Sequence, residues 1–390
     1  MIYDQHPLFN WLGKIRRDFH SHPEIGYHEV RTTSRIKEIL EGIGIPVQNV
    51  PGMDTGLVGL IKGRPGGKTL ALRADIDALP IRELNDVPYR SRAEGVMHAC
   101  GHDAHTTIML GVAKQVMESG LQEKIKGNLK FIFQPAEEKI SGAEKMIRGG
   151  VLKKPKVDRI LACHMDPDLQ VGQAAIFKGV SHAAADLFRM RIQGKGGHGA
   201  KPEDSIDPIV AGAHFVTAVQ TIVSREISPM EPSVITVGSL QAGTAGNIIP
   251  DEAVLEGTVR SLNQDVRGKI IARMAEMVSG LETTFNVRVK YEYINGVPPC
   301  MNDEAVSAFL LEVSSEVIGS DHFIGLKPTM GGEDFALFSQ RVPGSIMRLG
   351  CANKERGLVH KLHSPHFDLD EHVLVIGVEI FTAAIRRYLV

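Results

Sequence analysis

Strand-like and helix-like segments alternate over about the first 180 residues, and this alternation constrains the fold more than any other feature. The strand-like segments are short apolar runs, such as 129–134, which Pro135 ends. The helix-like segments carry apolar residues at helical spacing, and Asp103 is placed to cap one of them. The predicted elements are strands at 70–77, 129–134 and 157–163 and helices at 30–40, 104–117 and 141–148. This order predicts an α/β fold, with a mixed, mostly parallel sheet and helices on both faces.

The middle of the chain has a different order of elements. Predicted strands and helices follow one another as β-α-β-β-α-β, at 186–193, 207–225, 233–240, 253–261, 264–281 and 287–293. This is the order of a ferredoxin-like α+β domain. The α/β order then resumes with helices at 304–318 and 371–388 around a strand at 345–349. We therefore predict a discontinuous catalytic domain, 1–182 and 297–390, with a ferredoxin-like domain inserted at 183–296.

Charge and composition exclude several classes of protein. The 390 residues include 44 Lys and Arg against 46 Asp and Glu, which is not the basic surface of a nucleic-acid-binding protein. No window approaches the roughly 20 apolar residues of a membrane span, and the first residues lack the pattern of a secretory signal. The four cysteines are widely spaced and do not form a disulfide pattern. We expect a cytoplasmic protein that binds neither nucleic acid nor membrane.

Acidic residues and a histidine follow three of the predicted strands, at the point where each strand ends. They are Asp75 and Asp77, Glu137 and Glu138, and His164. Because ligand sites of open α/β sheets lie beyond the carboxyl ends of the strands, we expect these side chains to converge. Cys100 and His102 stand between the first two strands, just before a helix. Thiolate, imidazole and carboxylate together are a plausible ligand set for a divalent cation such as zinc.

Histidine is unusually frequent in this chain, with 16 residues, and three of them fall at 98, 102 and 105. Only His102 of these three belongs to the predicted ligand set. We expect His98 to belong to the start of the helix and His105 to lie behind the ligands. The position of a histidine relative to a strand or helix end, and not the number of histidines, indicates which of them bind metal.

Two segments resemble phosphate-binding motifs but lack the structural context that those motifs need. The run GKGGHG at 194–199 matches the dinucleotide pattern, but the next helix begins only near Asp207, so no helix N-terminus faces a pyrophosphate. Gly67-Lys68-Thr69 resembles the end of a P-loop, but position 62 is a lysine and a strand follows. A nicotinamide-dependent oxidoreductase is therefore disfavoured. Neither G-x-S-x-G nor H-E-x-x-H occurs in the sequence.

The motifs resemble those of the aminoacylase, hippurate hydrolase and indoleacetyl-amino-acid hydrolase branch of the dinuclear zinc carboxypeptidase-like amidohydrolases. The resemblance spans nearly the whole chain, and CGHD with PAEE is its most specific pair. The matching segments are RRDFHSHPE at 16–24, LRADIDALP at 72–80, MHACGHDAH at 97–105, QPAEE at 134–138, GKGGH at 194–198, NIIPD at 247–251, GEDF at 332–335 and LHSP at 362–365. The resemblance also implies two domains, the smaller one inserted and used for dimerisation.

The resemblance assigns a role to each matching residue. It implies five metal ligands, Cys100, His102, Glu138, His164 and His363. Glu137 would be the catalytic base, and Asp77 would orient a ligand. His198 of the inserted domain would reach the site of a partner subunit and stabilise the oxyanion, and Asn247 would contact substrate. A structural turn remains an alternative for His198 and Asn247. Asp75 stands where other branches have a histidine, so the second metal site could differ in affinity or identity.

The activity implied is hydrolysis of N-acyl-L-amino acids by metal-activated water, with one or two divalent ions in each subunit. Zinc is the expected metal, and manganese, cobalt or nickel are alternatives. A dipeptidase or aminopeptidase on the same scaffold is the second hypothesis, and a non-catalytic metal-binding protein is the third. A homodimer or higher homo-oligomer is expected through the inserted domain, whose sheet would offer an exposed edge.

Overall fold

The computed structural model describes the backbone of residues 2–390 and the side chains from Asp4 onward. Its α-helices are α1 (Phe9–Ser21), α2 (Val30–Gly42), α3 (His102–Glu118), α4 (Gly142–Arg148), α5 (Pro208–Thr221), α6 (Gln264–Phe285), α7 (Glu304–Ile318), α8 (Phe335–Ser339) and α9 (His372–Leu389). Its strands are β1 (Val47–Asn49), β2 (Leu57–Lys62), β3 (Arg64–Asp75), β4 (Lys126–Gln134), β5 (Arg159–Gln170), β6 (Ala174–Ile176), β7 (Gly179–His182), β8 (Ala184–Gln193), β9 (Gly197–His198), β10 (Ser233–Ala242), β11 (Ile248–Ile249), β12 (Glu252–Ser261), β13 (Arg288–Val297), β14 (Cys300–Asn302) and β15 (Gly344–Ala352).

The chain divides into two compact units. The first comprises the chain up to Ser181, Met301–Lys327 and Asp334–Val390, and the second comprises His182–Cys300 and Pro328–Glu333. The second unit thus takes most of its chain from one continuous segment between two parts of the first. The sequence-based domain boundaries stay a prediction.

The first unit is built on a seven-stranded sheet in the order β1-β2-β4-β3-β5-β15-β6. The four central strands, β4, β3, β5 and β15, run parallel, and the outer strands pair antiparallel. The central strands are apolar and buried over most of their length, as parallel strands covered on both faces must be. The predicted fold class is confirmed: the sheet is mixed, with a parallel centre, and is packed with helices.

Three helices of the first unit pack closely through a glycine. A Cβ atom added at Gly111 of α3 would come within 2.6 Å of Leu12 on α1 and of Val378 on α9. Glycine therefore lets α3 approach both neighbours, and these helices share one apolar core with the buried strands. Since α3 begins at the predicted metal site, this packing fixes the position of its first turn.

The second unit has a four-stranded antiparallel sheet in the order β10-β12-β8-β13. With α5 and α6 its chain order is β-α-β-β-α-β, the ferredoxin-like order. Alternate residues of β8 are buried, which directs one face of the sheet to the apolar core shared with the two helices. Asp207 caps α5 by accepting hydrogen bonds from the backbone N–H groups of Ile209 and Val210, and Pro208 is the first helical residue. No helix among residues 2–390 is long and apolar enough to cross a membrane.

Candidate metal centre

The predicted metal ligands of the first unit gather at the carboxyl edge of its central strands. Asp77 and the pair Glu137–Glu138 follow closely after the ends of β3 and β4. His164 differs from the prediction, because β5 continues to Gln170 and His164 lies within it. It stands just beyond Ala162, the last residue of β5 that pairs with β3. β5 is longer than predicted because β15 continues to pair with it past this point.

A glycine turn presents Cys100 and His102 at the start of α3. Gly101 is the N-cap residue, with φ of 86°, a conformation that favours glycine. A Cβ atom here would also lie 2.7 Å from Cγ of Met165. The prediction that Asp103 caps this helix is wrong, because α3 begins at His102, two residues earlier than predicted, and Asp103 lies buried in its first turn.

The ring of His102 is oriented by the segment that follows β3. Its Nδ1 lies 2.9 Å from the backbone oxygen of Asp77 and 3.2 Å from Oδ1 of the same residue. A proton on Nδ1 leaves Nε2 as a lone-pair donor, and this buried Nε2 forms no hydrogen bond of normal geometry among the described residues. Asp77 also accepts a hydrogen bond through Oδ2 from the backbone N–H of Glu138, at 3.1 Å. The carboxylate of Asp77 thus contacts two predicted ligands. A metal-binding histidine usually donates its second ring N–H to an acceptor of this kind.

The remaining predicted ligands surround the same point. Cys100 Sγ lies 3.5 Å from Nε2 of His164, whose Nδ1 donates to the backbone oxygen of Met165 at 2.8 Å. Glu138 Oε1 lies 3.3 Å from Nε2 of His363 and 3.9 Å from Nε2 of His102. Donor atoms within 4.8 Å of one another form three overlapping groups: Cys100, His102 and His164; Cys100, Glu138 and His363; and His102, Glu137 and Glu138. The structure therefore brings all five predicted ligands and the predicted base together.

Electrostatics at the cluster favour a bound cation. Burial, with a contribution from Glu138, holds the pKa of the Cys100 thiol well above its usual value, so a nearby positive charge is needed to form the thiolate. Burial lowers the pKa of His102, but Asp75 and Cys100 outweigh it and raise that pKa well above the usual value. Burial also opposes ionisation of Glu138, but contact with His363 and His102 lowers its pKa. A divalent cation would replace these protons, and the donor set of sulfur, nitrogen and oxygen fits such an ion.

A further group of donors, Asp75, His102 and His105, also has its ligand atoms within 4.8 Å of one another. Asp75 is already engaged: Oδ2 accepts from Nη1 of Arg73 at 2.7 Å, and Oδ1 lies 2.6 Å from Nδ1 of His105. The other nitrogen of His105 accepts from the backbone N–H of Met165 at 2.9 Å. Both atoms that could bind metal in His105 are thus used in hydrogen bonds. His105 lies behind the ligands, in agreement with the sequence analysis.

The loop that carries Glu137 and Glu138 is held in an unusual backbone conformation. Ala136 has φ of 55°, in the left-handed region. Its N–H donates to Oε1 of Glu29 at 2.9 Å, and its Cα lies 3.0 Å from where a Cβ atom of Gly26 would be. The segment before α2 therefore determines where the Glu137–Glu138 pair is placed.

Sequence reasoning missed a buried ion-pair network behind the first turn of α3. Arg16 on α1 is fully buried and lies 2.8 Å from Oδ2 of Asp103 and 2.9 Å from Oδ1 of Asp368. His20, one turn later on α1, contacts Asp103 at 2.8 Å and Glu83 at 3.2 Å. The signals in the sequence were the matching segment at 16–24, to which no role was assigned, and the spacing by four of two polar residues, Arg16 and His20, on an otherwise apolar helix face.

The second unit brings its two predicted site residues together. His198 ends β9, which pairs with β11, and the backbone oxygen of Asn247 accepts from Gly199 N–H at 2.9 Å. Both side chains are exposed, and Nδ1 of His198 accepts from Ala200 N–H at 3.0 Å. The run GKGGHG therefore forms a strand and turn, followed by a short 3-10 helix at Pro202–Asp204 and not directly by an α-helix, as expected for a loop that presents His198. The functional roles of His198 and Asn247 stay predictions.

The model of peptidase family M20/M25/M40 matches residues 71–387 of this chain. The chain belongs to this family. An N-acetylcysteine deacetylase of Bacillus subtilis is 38% identical over 372 residues, which cover 95% of this chain and 94% of the relative. Thermostable carboxypeptidase 2 of Saccharolobus solfataricus is 37% identical over 377 residues, which cover 96% and 94%.

The solved structures extend the likeness to the whole fold. The YXEP protein of Bacillus subtilis, a dinuclear metal-binding peptidase of family M20, superposes with a TM-score of 0.83 at 34% identity. The match covers 98% of each chain. Membership of the family and the convergent donor set establish this M20 protein as a metal-dependent hydrolase of amide bonds. They confirm the resemblance inferred from the sequence and the expectation of divalent metal.

Proposed function

We propose that this M20 hydrolase cleaves the amide bond of N-acyl-L-amino acids, with Glu137 as the general base. The single observation that carries the proposal is the position of Glu137. Its side chain is buried, belongs to one group of donors with His102 and Glu138, and has Oε2 4.0 Å from Nε2 of His102. A carboxylate beside a metal-ligand cluster can accept a proton from water that attacks a carbonyl there.

The chain supplies distinct groups for metal binding and for proton transfer. The ligands Cys100, His102, Glu138, His164 and His363 would hold one or two divalent ions, and we propose zinc because cysteine and histidine are among its preferred ligands. A divalent ion in such a site lowers the pKa of water and polarises the substrate carbonyl. Glu137 accepts the proton of the attacking water and delivers it to the leaving amine. The backbone N–H of Asp334 donates to Glu137 Oε1 at 3.4 Å, which helps to orient the base.

The proposal is tested by separating metal binding from hydrolysis. Glu137→Gln should keep the metal content of the wild type and lose at least about 10²-fold in kcat on N-acetyl amino acids, since a general base contributes that much or more. The matched control is Glu138→Gln, which removes a ligand carboxylate from the next position and should lower metal content. Wild-type turnover by the Glu137 variant would refute the assignment of the base.

Substrate class is tested on metal-stripped protein with zinc, manganese, cobalt or nickel added back. The proposal expects hydrolysis of N-acyl amino acids, and no activity on any amide with any metal would refute it. The similarity to a carboxypeptidase keeps a peptidase as the second candidate. A preference for substrates with a free amino group would favour a dipeptidase or aminopeptidase.

The roles of the second unit belong to the same proposal. We propose that His198 stabilises the oxyanion in the site of a partner subunit, that Asn247 contacts substrate, and that the protein is a homodimer through this unit. β10 and β13 are the two edges of its sheet, and pairing along such an edge is a common route to assembly. A cytoplasmic location is proposed from the sequence alone.

A further inference from the structure

The predicted ligand His363 differs in its surroundings from the other histidines of the candidate metal centre. Its side chain is 53% exposed, and it lies in a segment of turns between β15 and α9. Its φ of 63° is in the left-handed region, where a residue with a side chain stays only if the surrounding structure holds it. By contrast, His102 and His164 are buried and belong to α3 and β5. Contacts with other parts of the chain must therefore hold His363 in place.

A loop that begins and ends beside the candidate metal centre supplies such contacts. The backbone groups of Leu79 and Met97 form two hydrogen bonds of 3.0 Å, which close residues 80–96 into a loop. Asp77 comes just before this loop, and Cys100 comes just after it. The first half of the loop forms neither helix nor strand, so hydrogen bonds to the rest of the protein determine its path.

Two hydrogen bonds join this loop to the turn that follows His363. The backbone N–H of Leu84 donates to the backbone oxygen of Pro365 at 2.9 Å. Nδ2 of the Asn85 side chain donates to the backbone oxygen of Phe367 at 3.0 Å. The loop therefore holds the backbone two and four residues beyond the one that carries the imidazole.

Asn85 is itself held by a buried carboxylate. Its Nδ2 also donates to Oε1 of Glu83 at 3.1 Å, so both hydrogens of this amide nitrogen have an acceptor. Glu83 is buried, and its Oε1 lies 3.2 Å from Nε2 of His20 on α1. Its Oε2 accepts from the backbone N–H of Ser91 at 2.7 Å. The Asn85 amide thus connects the turn after His363 to the end of α1.

The position of His363 matters because metal bonds tolerate little displacement. Zinc–nitrogen bonds are about 2.0–2.1 Å long and vary by roughly 0.2 Å, so a ligand that moves further loses much of the bond. The N–H of His363 donates to the backbone oxygen of Ala99 at 2.7 Å, and Asn85 holds the other end of the turn. Without the Asn85 amide, that end of the turn is released and the left-handed residue can relax.

We propose that Asn85 positions the metal ligand His363 by holding the turn that follows it. The amide acts through the backbone of Phe367 and not on the metal, so Asn85 is a positioning residue. This inference rests on the proposed function, in which His363 is a ligand. It adds to that function a side chain that can be removed without removing a ligand atom.

Affinity for Zn²⁺ measures this role without turnover. The full chain is titrated against a zinc chelator, and circular dichroism checks that each variant is folded. Asn85→Ala should weaken the affinity about 10- to 100-fold, the usual loss when a residue that orients a ligand is removed. Asn85→Leu, which keeps a branched side chain without donors, takes its place if Asn85→Ala does not fold. The matched control is Leu84→Ala, which trims a half-exposed neighbour, keeps its backbone N–H and should change the affinity less than about threefold.

A double-mutant cycle separates positioning of His363 from general support of the fold. In a His363→Ala background, which lacks the ligand, the Asn85 substitution should cause no further loss of affinity. An equal loss with and without His363 would overturn the inference, because Asn85 would then support the other ligands or the whole fold. Unchanged affinity of the Asn85 variant would overturn it as well. Where two ions bind, the comparison uses the ion whose affinity His363→Ala lowers more.

The single variant His363→Ala distinguishes failure of the proposed function from failure of this inference. If it binds Zn²⁺ as tightly as the wild type, His363 is not a ligand, and the ligand assignment is refuted together with the inference. If it loses affinity and the Asn85 variant does not, the inference alone fails. Absence of hydrolysis of N-acyl amino acids by the wild type would refute the proposed substrate class and would leave these affinities unchanged.

Discussion

Glu29 provides a test of how the loop carrying Glu137 is supported. The side chain is fully buried, accepts from the N–H of Ala136 at 2.9 Å and accepts from Oγ1 of Thr55 at 2.9 Å. Burial, together with the charge of Asp77, raises its pKa from 4.5 to about 7, although its hydrogen bonds act in the opposite direction. Glu29→Gln removes the titration but keeps both contacts, because the amide oxygen can accept from Ala136 and the amide nitrogen can donate to the Thr55 hydroxyl.

The sign and size of the effect follow from proton linkage. Between pH 4.5 and 7 the folded protein holds a proton on Glu29 that the unfolded chain has lost, so the free energy of unfolding falls as the pH rises through this window. Each pKa unit corresponds to about 1.4 kcal/mol, so ionised Glu29 lowers stability by about 3 kcal/mol above pH 7. The glutamine variant does not suffer this loss. Its stability relative to the wild type should therefore rise by about 2.5 kcal/mol between pH 5 and pH 8, since part of the effect is already present at pH 5.

Urea unfolding of the metal-free proteins at pH 5 and pH 8 measures this double difference. Comparing two variants at two pH values cancels the contribution of the second unit and of every other titrating group. Glu38→Gln on α2 is the control, because Glu38 is 69% exposed and its removal should cause no pH-dependent difference. If the stability difference between Glu29→Gln and the wild type is the same at both pH values, Glu29 is ionised throughout and the reasoning is wrong.

Two further substitutions test the second unit and the turn before α3. Asp186→Ala should destabilise the second unit by about 3–5 kcal/mol, because Arg267 remains buried without the carboxylate that contacts it twice at 2.7 Å. Thermal unfolding measures it, and a loss below 1 kcal/mol would contradict the importance of the pair. Gly101→Ala should lower metal content, since its φ of 86° and the 2.7 Å approach to Met165 both oppose a Cβ atom. Metal analysis of purified protein checks this, and a full complement of metal would show that the turn tolerates the change.

The fold could be predicted because its strongest signals are local. The buried strand β4 contains the mostly apolar run 129–134, which Pro135 follows, and α5 begins at Asp207-Pro208, a cap and first-turn pair that the structure confirms. The β-α-β-β-α-β order of the second unit depends only on the sequence of elements along the chain. Each of these features is determined by neighbouring residues, so one sequence contains enough information to place it.

The site could be predicted only where its residues stand at the ends of such elements. Cys100 lies two residues before α3, and Glu137 and Glu138 lie three and four residues after β4; parallel strands bring such ends together. His164 shows the limit of this reasoning. The apolar run before it ends at Cys163, yet β15, a strand about 180 residues later, pairs with β5 beyond that point and extends it. Sequence periodicity carries no signal for pairing with so distant a strand.

Asp103 shows why a local pattern can give the wrong structural role. An aspartate before an apolar helical run is typical of an N-cap, and the sequence offers no reason to place it elsewhere. The buried guanidinium of Arg16, 87 positions earlier, contacts Asp103 at 2.8 Å. Burial and the charges of Arg16 and His20 act on this carboxyl in opposite directions, and the cations prevail, so its pKa falls far below the usual value. The long-range ion pair thus determines where the residue lies, and a glycine caps the helix instead.

The same contact explains how a proposed metal ligand, His102, is held from two sides. His102 precedes Asp103 in the first turn of α3, so the ion pair between Arg16 and Asp103 fixes the backbone that carries the imidazole. The ring itself is fixed by Asp77, whose backbone oxygen and carboxylate contact Nδ1 at 2.9 and 3.2 Å. The ion pair and the Asp77 contacts together leave Nε2 of His102 little freedom to move. The entropy cost of ordering this side chain is therefore met when the protein folds. Metal binding then needs to displace protons rather than to organise the chain.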